Sequence, residues 1–308
     1  MILCCGEALI DFVPLPGQRA YQPCPGGSIF NIAVGLGRLE IPVGFYCKMS
    51  SDFFGDMLID HLGENNVDTG LCPLTSDPTM LAIVSLDSEP NEEPRYSFYA
   101  NGSAASSLMV DELPDKLPEE ICAIHFGSLS LILEPTASAL ENLMIRESSR
   151  RVISLDPNIR PNMISDRKAY RERFENWLTA VDILKLSQAD RIWIYPQLDF
   201  DECLQLWFSQ GVKLVIHTRG EKGAEAYTIN GEQASVKTPQ VEVVDTVGAG
   251  DTFIAAVLGF LYDQDLLEKE RLASLDQNQL SVCLEFASKA AAINCTRVGA
   301  NPPFRQEI

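Results

Sequence analysis

From Ile121 onward, short apolar runs alternate with stretches of helical length, and this alternation constrains the fold more than any other feature of the chain. The runs are Ile121–Phe126, Val152–Leu155, Ile183–Leu186 and Leu214–His217, and between them lie Thr136–Glu147, Arg167–Leu178 and Phe200–Ser209. A strand apolar on both faces must be covered on both, and parallel neighbours need a crossover long enough to be a helix. The pattern predicts an α/β fold with a predominantly parallel central sheet flanked by helices on both faces. Upstream, Ile2 to Ile10 reads as a strand, and Gly26-Gly27-Ser28 opens a helix carrying Ile29, Ile32, Ala33, Leu36 and Leu39. Val43 to Lys48 reads as a short strand, Asp52 to Gly63 as a helix, and Ser281 to Asn294 as the last helix.

Two stretches break the alternation. Residues 12–25 are rich in proline and glycine. Residues 79–101 hold two β-rich pieces, Thr79 to Leu86 and Arg95 to Tyr99, around the polar turn Ser88-Glu89-Pro90-Asn91-Glu92-Glu93-Pro94. They form either an edge extension of the main sheet or a small separate sheet, and the pattern alone does not choose. No internal repeat, low-complexity tract or linker interrupts the chain, so residues 1–308 read as one domain with these segments inserted.

The chemistry is concentrated in Asp245-Thr246-Val247-Gly248-Ala249-Gly250-Asp251-Thr252-Phe253. Phe253, Ala256, Val257, Phe260 and Leu261 then recur at helical spacing. Gly248, Ala249 and Gly250 therefore sit at a helix N-terminus, where unpaired amides and the helix dipole favour an anion. Asp251 falls in the first turn, against that anion, and repels it. Taking a proton from a hydroxyl that attacks a phosphoryl group is a reason to keep a carboxylate there. The plainer reading is an acid that complements the helix dipole.

Composition narrows the partners. With 24 basic and 43 acidic residues the net charge is −19, which opposes nucleic acid. No apolar run is long enough to span a bilayer, and the N-terminus lacks the basic region of a signal peptide, so no membrane partner is expected. Nine scattered cysteines without Cys-x-x-Cys spacing point to a reducing cytoplasm and to thiols used as small apolar residues, with Cys4-Cys5 as strand core. His61, His125 and His217 show no metal-ligand spacing. There is no Gly-x-x-x-x-Gly-Lys loop, and Gly35-Leu36-Gly37-Arg38 lacks the third glycine of a dinucleotide fingerprint.

Gly-Ala-Gly-Asp-Thr-Phe preceded by Asp-Thr resembles the C-terminal signature of the ribokinase (PfkB) family of sugar kinases. That resemblance implies a ribokinase-like fold with a small β-sheet lid built from residues 12–25 and 79–101. It also implies Asp251 as catalytic base and Gly248, Ala249 and Gly250 as an anion hole. Gly26-Gly27-Ser28-Ile29-Phe30-Asn31-Ile32-Ala33 is similar to the family's sugar-side glycine motif, and Ser51-Asp52-Phe53-Phe54-Gly55-Asp56 to the Gly-Asp-x-x-Gly stretch after it. The resemblance assigns Gly26, Gly27, Asn31 and the acid Asp11 to sugar hydroxyls; Phe98 and Glu134 complete the substrate-binding set.

Asp156-Pro157-Asn158-Ile159-Arg160-Pro161 resembles the Asp-x-Asn-x-Arg motif of fructokinases and 2-keto-3-deoxygluconate kinases, which makes Arg160 a partner for phosphoryl charge or a substrate carboxylate. Leu186-Ser187-Gln188-Ala189-Asp190 resembles the Asn-x-x-Glu motif that organises water around Mg²⁺. Ser replaces Asn and Asp replaces Glu, and Ser187 as a helix cap is the competing reading. Thr218, Arg219, Gly220 and Gly223 match a segment that contacts ATP phosphates, although alone they read as a turn into a hairpin. The closing Thr296-Arg297-Val298-Gly299-Ala300 resembles the family's last segment. It implies a K⁺ cage of Asp245, Val247, Asn294, Arg297 and Gly299, with Asn294 also on the nucleotide side; Pro303 stands where some relatives have a hydroxyl.

Together these features are expected to make an ATP-dependent, Mg²⁺-assisted kinase for the hydroxymethyl group of a sugar, D-fructose first. Arg95-Tyr96-Ser97-Phe98-Tyr99 adds aromatic area for the sugar, with Arg95 a second carboxylate partner if the substrate is 2-keto-3-deoxygluconate. A homodimer through the lid is the oligomeric expectation. The rival from another class is a sugar-sensing protein that keeps the fold without turnover, and a dehydrogenase is a weaker one.

Overall fold

The computed structural model describes residues 1–15, 17–85 and 96–308. The chain runs β1 (Ile2–Cys5), β2 (Leu9–Pro14), β3 (Tyr21–Gly26), α1 (Ser28–Arg38), β4 (Val43–Tyr46), β5 (Met49–Ser50) and α2 (Phe53–Glu64). The short β6 (Val67–Asp68) and β7 (Leu74–Thr75) lead to β8 (Met80–Val84) and β9 (Tyr96–Tyr99). Alternation then sets in with β10 (Ala123–Gly127), α3 (Thr136–Glu147), β11 (Val152–Asp156), α4 (Arg167–Leu178) and β12 (Ile183–Ser187). It continues through α5 (Gln188–Ile194), α6 (Phe200–Ser209) and β13 (Leu214–Thr218) to the hairpin β14 (Ala224–Thr228) and β15 (Gln233–Val236). Three helices close the chain: α7 (Ala249–Asp263), α8 (Lys269–Ala273) and α9 (Gln277–Cys295).

The central sheet has nine strands in the order β15-β14-β13-β12-β11-β10-β1-β4-β6. It is parallel from β13 to β6, and the antiparallel β14–β15 hairpin finishes one edge. The expected helices Thr136–Glu147, Arg167–Leu178 and Phe200–Ser209 are observed with those bounds. The last helix starts a turn earlier than its apolar spacing indicates, at Gln277, because Asp276 and Gln279 form a capping box there. Leu3, Cys5, Ile124, Phe126, Ile153, Leu155, Leu184 and Leu186 pack on one face with Phe174, Trp177 and Trp207. Ile2, Cys4, Ala123, Val152 and Ile183 face the other way, toward α1, α7 and α9. The nine cysteines are free, and no helix among the described residues is long and apolar enough to cross a membrane.

Ile2–Ile10 is not one strand. Gly6-Glu7-Ala8 interrupts it, and the chain leaves the central sheet to enter a second one, of order β3-β2-β8-β9. A methyl at Gly6 would fall 2.3 Å from Ile29, so the exit is possible only with glycine. This separate four-stranded sheet is made from the two stretches that break the alternation. The turn at residues 88–94, with Leu86 and Arg95, lies outside the described residues. Asp52 ties the small sheet to the body: it caps α2 through the Phe54 and Gly55 amides and accepts from the Thr79 amide and hydroxyl, just before β8.

Candidate active site

The site forms where α7, α1 and the carboxyl ends of β11 and β12 meet, beneath the small sheet. Gly248 caps α7 in the left-handed region, at φ 74°. A methyl there would lie 2.6 Å from Ala300 Cβ and 2.8 Å from Ala300 Cα, so both the turn and the C-terminal segment demand glycine. Ala249 N–H closes the turn on the Thr246 carbonyl (3.2 Å), which leaves the flanking amides of Gly248 and Gly250 for an anion.

Asp251 follows in the first turn, 8% exposed. Its Oδ1 accepts from Ser28 Oγ (2.7 Å) and its Oδ2 from Asn31 Nδ2 (2.9 Å), both on the first turn of α1. Burial pushes the carboxyl above its ordinary range, while those two hydrogen bonds and the charges of Lys185 and Arg160 pull it back. The network continues through Asn158 Nδ2, which donates to Ser28 Oγ (2.8 Å), and Arg160 Nη1, which donates to Asn158 Oδ1 (2.6 Å). Asn158 holds a left-handed backbone at φ 37°, a conformation asparagine tolerates better than most residues. Asp251, Ser28, Asn31, Asn158 and Arg160 are therefore one hydrogen-bonded unit drawn from three parts of the chain.

Asp11 opens on the same space from β2. It shares a row across the small sheet with Cys24, Ala82 and Phe98, so these side chains point to one face. Burial raises its carboxyl to about 7, against Arg160 and with help from Asp251. Gly26 lacks a side chain because one would meet Asp11 Oδ2 at 2.3 Å, and Gly27, at φ 113°, because one would meet the Glu7 carbonyl at 2.8 Å. Two residues along β9 on the Phe98 face, Tyr96 stacks on Phe98 with centroids 5.9 Å apart.

Other candidates fare differently. Glu134 Oε1 pairs with Arg173 (2.7 Å), Oε2 accepts from the Ser138 amide, and the side chain is half exposed, so the structure spends it on the α3–α4 surface instead of the Asp251 unit. Ser187 and Asp190 form a reciprocal capping box on α5, and Asp190 Oδ1 also takes the Ile159 amide (2.9 Å). The capping reading of Ser187 is thus what the geometry shows. Among the described residues no three His, Cys, Asp or Glu side chains gather to hold a metal. Thr218, Arg219, Gly220 and Gly223 make the turn into β14; Gly223 is glycine because a side chain would strike the Val236 carbonyl at 1.9 Å, and Arg219 pairs with Glu225.

The loops at 245–247 and 294–301 do come together. Asp245 accepts from the Val247 amide (3.0 Å) and the Gly299 amide (2.8 Å), and Asn294 Nδ2 donates to the Val247 carbonyl (2.8 Å). The Arg297 side chain turns away to Glu307 and the Asn301 carbonyl.

Sequence reasoning gave no role to Glu7 or Lys185 and quoted Asp156 only within a motif. Glu7 is fully buried and accepts from the Ser28 amide and the Ser130 amide (both 3.1 Å), fixing the entry to α1. Asp156 and Lys185 form a buried ion pair at 2.6 Å. A lone lysine inside the apolar strand Ile183-Leu184-Lys185-Leu186 was the available signal.

A family model described as pfkB family carbohydrate kinase matches residues 1–307. Over 283 residues the chain is 42% identical to a fructokinase of Rhizobium leguminosarum bv. trifolii, covering 91% of this chain and 85% of that one. The crystal structure of a fructokinase with bound ATP from Xylella fastidiosa matches with a TM-score of 0.88 at 30% identity, covering 97% of this chain and 93% of that one. A Vibrio cholerae O395 fructokinase in its fructose-, ADP- and calcium-bound form matches with a TM-score of 0.82 at 25% identity, over 97% and 94% of the two chains. A site of this geometry and a full-length family match agree: the chain belongs to the pfkB family of carbohydrate kinases.

Proposed function

We propose that this protein transfers the γ-phosphoryl group of ATP to the hydroxymethyl group of D-fructose, giving fructose 6-phosphate and ADP. The observation that carries the proposal is a buried carboxylate, Asp251, held by two donors in the first turn of the helix that Gly248, Ala249 and Gly250 open. Asp251 takes the proton as the sugar oxygen bonds to phosphorus and the bond from phosphorus to the bridging oxygen of ADP breaks. Ser28 and Asn31 fix the base, and the Gly248 and Gly250 amides hold the group in transfer. Asp11 accepts from sugar hydroxyls, and Phe98 with Tyr96 covers the sugar, so the small sheet acts as a lid. Mg²⁺ arriving with the nucleotide would supply charge neutralisation, and Asp190 is bonded in its capping box. The gathering of Asp245, Val247, Asn294 and Gly299 behind the anion hole supports a K⁺ cage. The free thiols support a reducing cytoplasm.

Fructose is preferred over 2-keto-3-deoxygluconate because, among the described residues, Arg160 is the one cation seen to act on Asp11, and its Nη1 is already bonded to Asn158. A site built for a carboxylate needs a cation free to meet it. Measuring ADP release across a panel of sugars tests this reading. Fructose should give the highest kcat/KM, and a preference of about tenfold for the keto-acid, worth about 1.4 kcal/mol, would overturn the choice of substrate.

A further inference from the structure

Lys185 is 4% exposed in the middle of the central sheet, yet the chemistry above makes no use of it. A buried ammonium is costly, and an ion pair in the interior generally adds little stability over apolar residues of the same shape. Stability is therefore a weak reason for a lysine here. Its position offers a better one. Nζ is anchored by Asp156 Oδ2, and a methyl added at Gly250 would come 3.4 Å from it, so the ammonium lies against the first turn of α7 with no side chain between. Burial opposes its charge, but Asp156, Asp190 and Asp251 keep it protonated. It projects that charge onto its surroundings: with burial, it pushes His125 down to about 3.

The anion site needs such a charge. Asp251, Asp156, Asp11 and Glu7 crowd its floor, and Arg160 is the cation on the sugar side. Negative charge spreads over the phosphoryl oxygens during transfer, and fixed charges in a water-poor site act on it strongly. We propose that Lys185 is a working residue of the phosphoryl site: its buried ammonium, fixed by Asp156 beneath Gly250, supplies positive charge to the group in transfer. The proposal rests on the phosphotransfer reading above.

The test compares wild type, Asp156→Asn, Lys185→Met and the double variant, the last leaving no buried charge unpaired. Fructose-dependent ADP release by wild type comes first; its absence for every sugar would overturn the phosphotransfer reading and the proposal together. Given activity, the double variant should keep its circular dichroism while kcat falls about 10²-fold below that of Asp156→Asn alone, with KM for fructose changed less than about threefold. Calorimetry supplies a readout apart from turnover. Binding of ADP with fluoroaluminate, a mimic of the phosphoryl group in transfer, should weaken by a similar factor, and binding of ADP alone should not. A double variant as fast as Asp156→Asn, or one that binds the fluoroaluminate complex equally well, would show that Lys185 only balances Asp156 and would overturn the proposal.

Discussion

Replacing Asp251 by asparagine separates chemistry from folding. The amide has the same shape, its oxygen can take Asn31 Nδ2–H, and its NH₂ can point at Ser28 Oγ. That hydroxyl has two lone pairs, one already used by Asn158, so it can accept from the new donor and re-aim its own proton. At most about one ordinary hydrogen bond is lost, about 1 kcal/mol. Against this stands the charge. Burial raises the Asp251 carboxyl above its ordinary 3.8, so the folded state holds the proton more tightly than the unfolded chain. Stability from this group is complete below pH 3.8 and is lost as pH rises through the folded value. An amide carries no such penalty. Asp251→Asn should therefore melt at or above the wild-type temperature at pH 7, with its relative advantage shrinking toward pH 4. Turnover should nevertheless fall by about 10²–10⁴-fold, or about 2.7–5.5 kcal/mol of barrier, because the amide cannot take the proton. Coupled ADP release at saturating ATP and fructose, with calorimetric melting at both pH values, reads both quantities. Retention of more than about half of kcat would refute the role of base. A drop in Tm beyond about 5 °C at pH 7 would show that the residue is chiefly structural.

Three further outcomes follow from the same geometry. Ser28→Ala removes a hydrogen bond that lowers the Asp251 pKa, so the acid limb of the kcat profile should move to higher pH; an unmoved limb counts against the contact. Gly248→Ala forces a side chain into the left-handed region, at about 1–2 kcal/mol, and against Ala300. Its Tm and kcat should both fall, and wild-type turnover would argue that the turn does not shape the anion hole. Asp11 accepts from sugar hydroxyls more strongly when ionised, and its carboxyl is raised to about 7, so KM for fructose should decrease as pH rises through 7. A flat profile would place the sugar elsewhere.

The central sheet was legible because a strand buried on both faces leaves an unmistakable apolar run, and helices between such runs have one place to go. The break at Gly6-Glu7-Ala8 was not, since apolar residues flank it on both sides while the chain changes sheets. Asp251 and its glycines were legible as a local motif at a helix start. Its partners were harder to see: Ser28 and Asn31 stand in one glycine motif, but they meet Asp251 across 223 and 220 positions of sequence. Glu134, an acid that sequence reasoning placed at the sugar, pairs with Arg173 in the structure. Spacing reveals which residues share an element, whereas long-range pairing depends on how elements pack.

The acids around the anion site explain how a protein of net charge −19 can handle a polyphosphate. Each buried carboxylate has its own donors: amides for Glu7, Lys185 for Asp156, a hydroxyl and an amide group for Asp251. Charge satisfied in this way is short-ranged, because each negative centre is paired with a fixed dipole or cation at hydrogen-bonding distance. Asp11 differs, since burial raises its carboxyl to about 7 and the charge of Arg160 offsets this only in part. That is the property expected of the acid that must exchange water for sugar hydroxyls. Glu7 and Asp156 hold the frame, whereas Asp11 meets the sugar hydroxyls and Asp251 takes the proton.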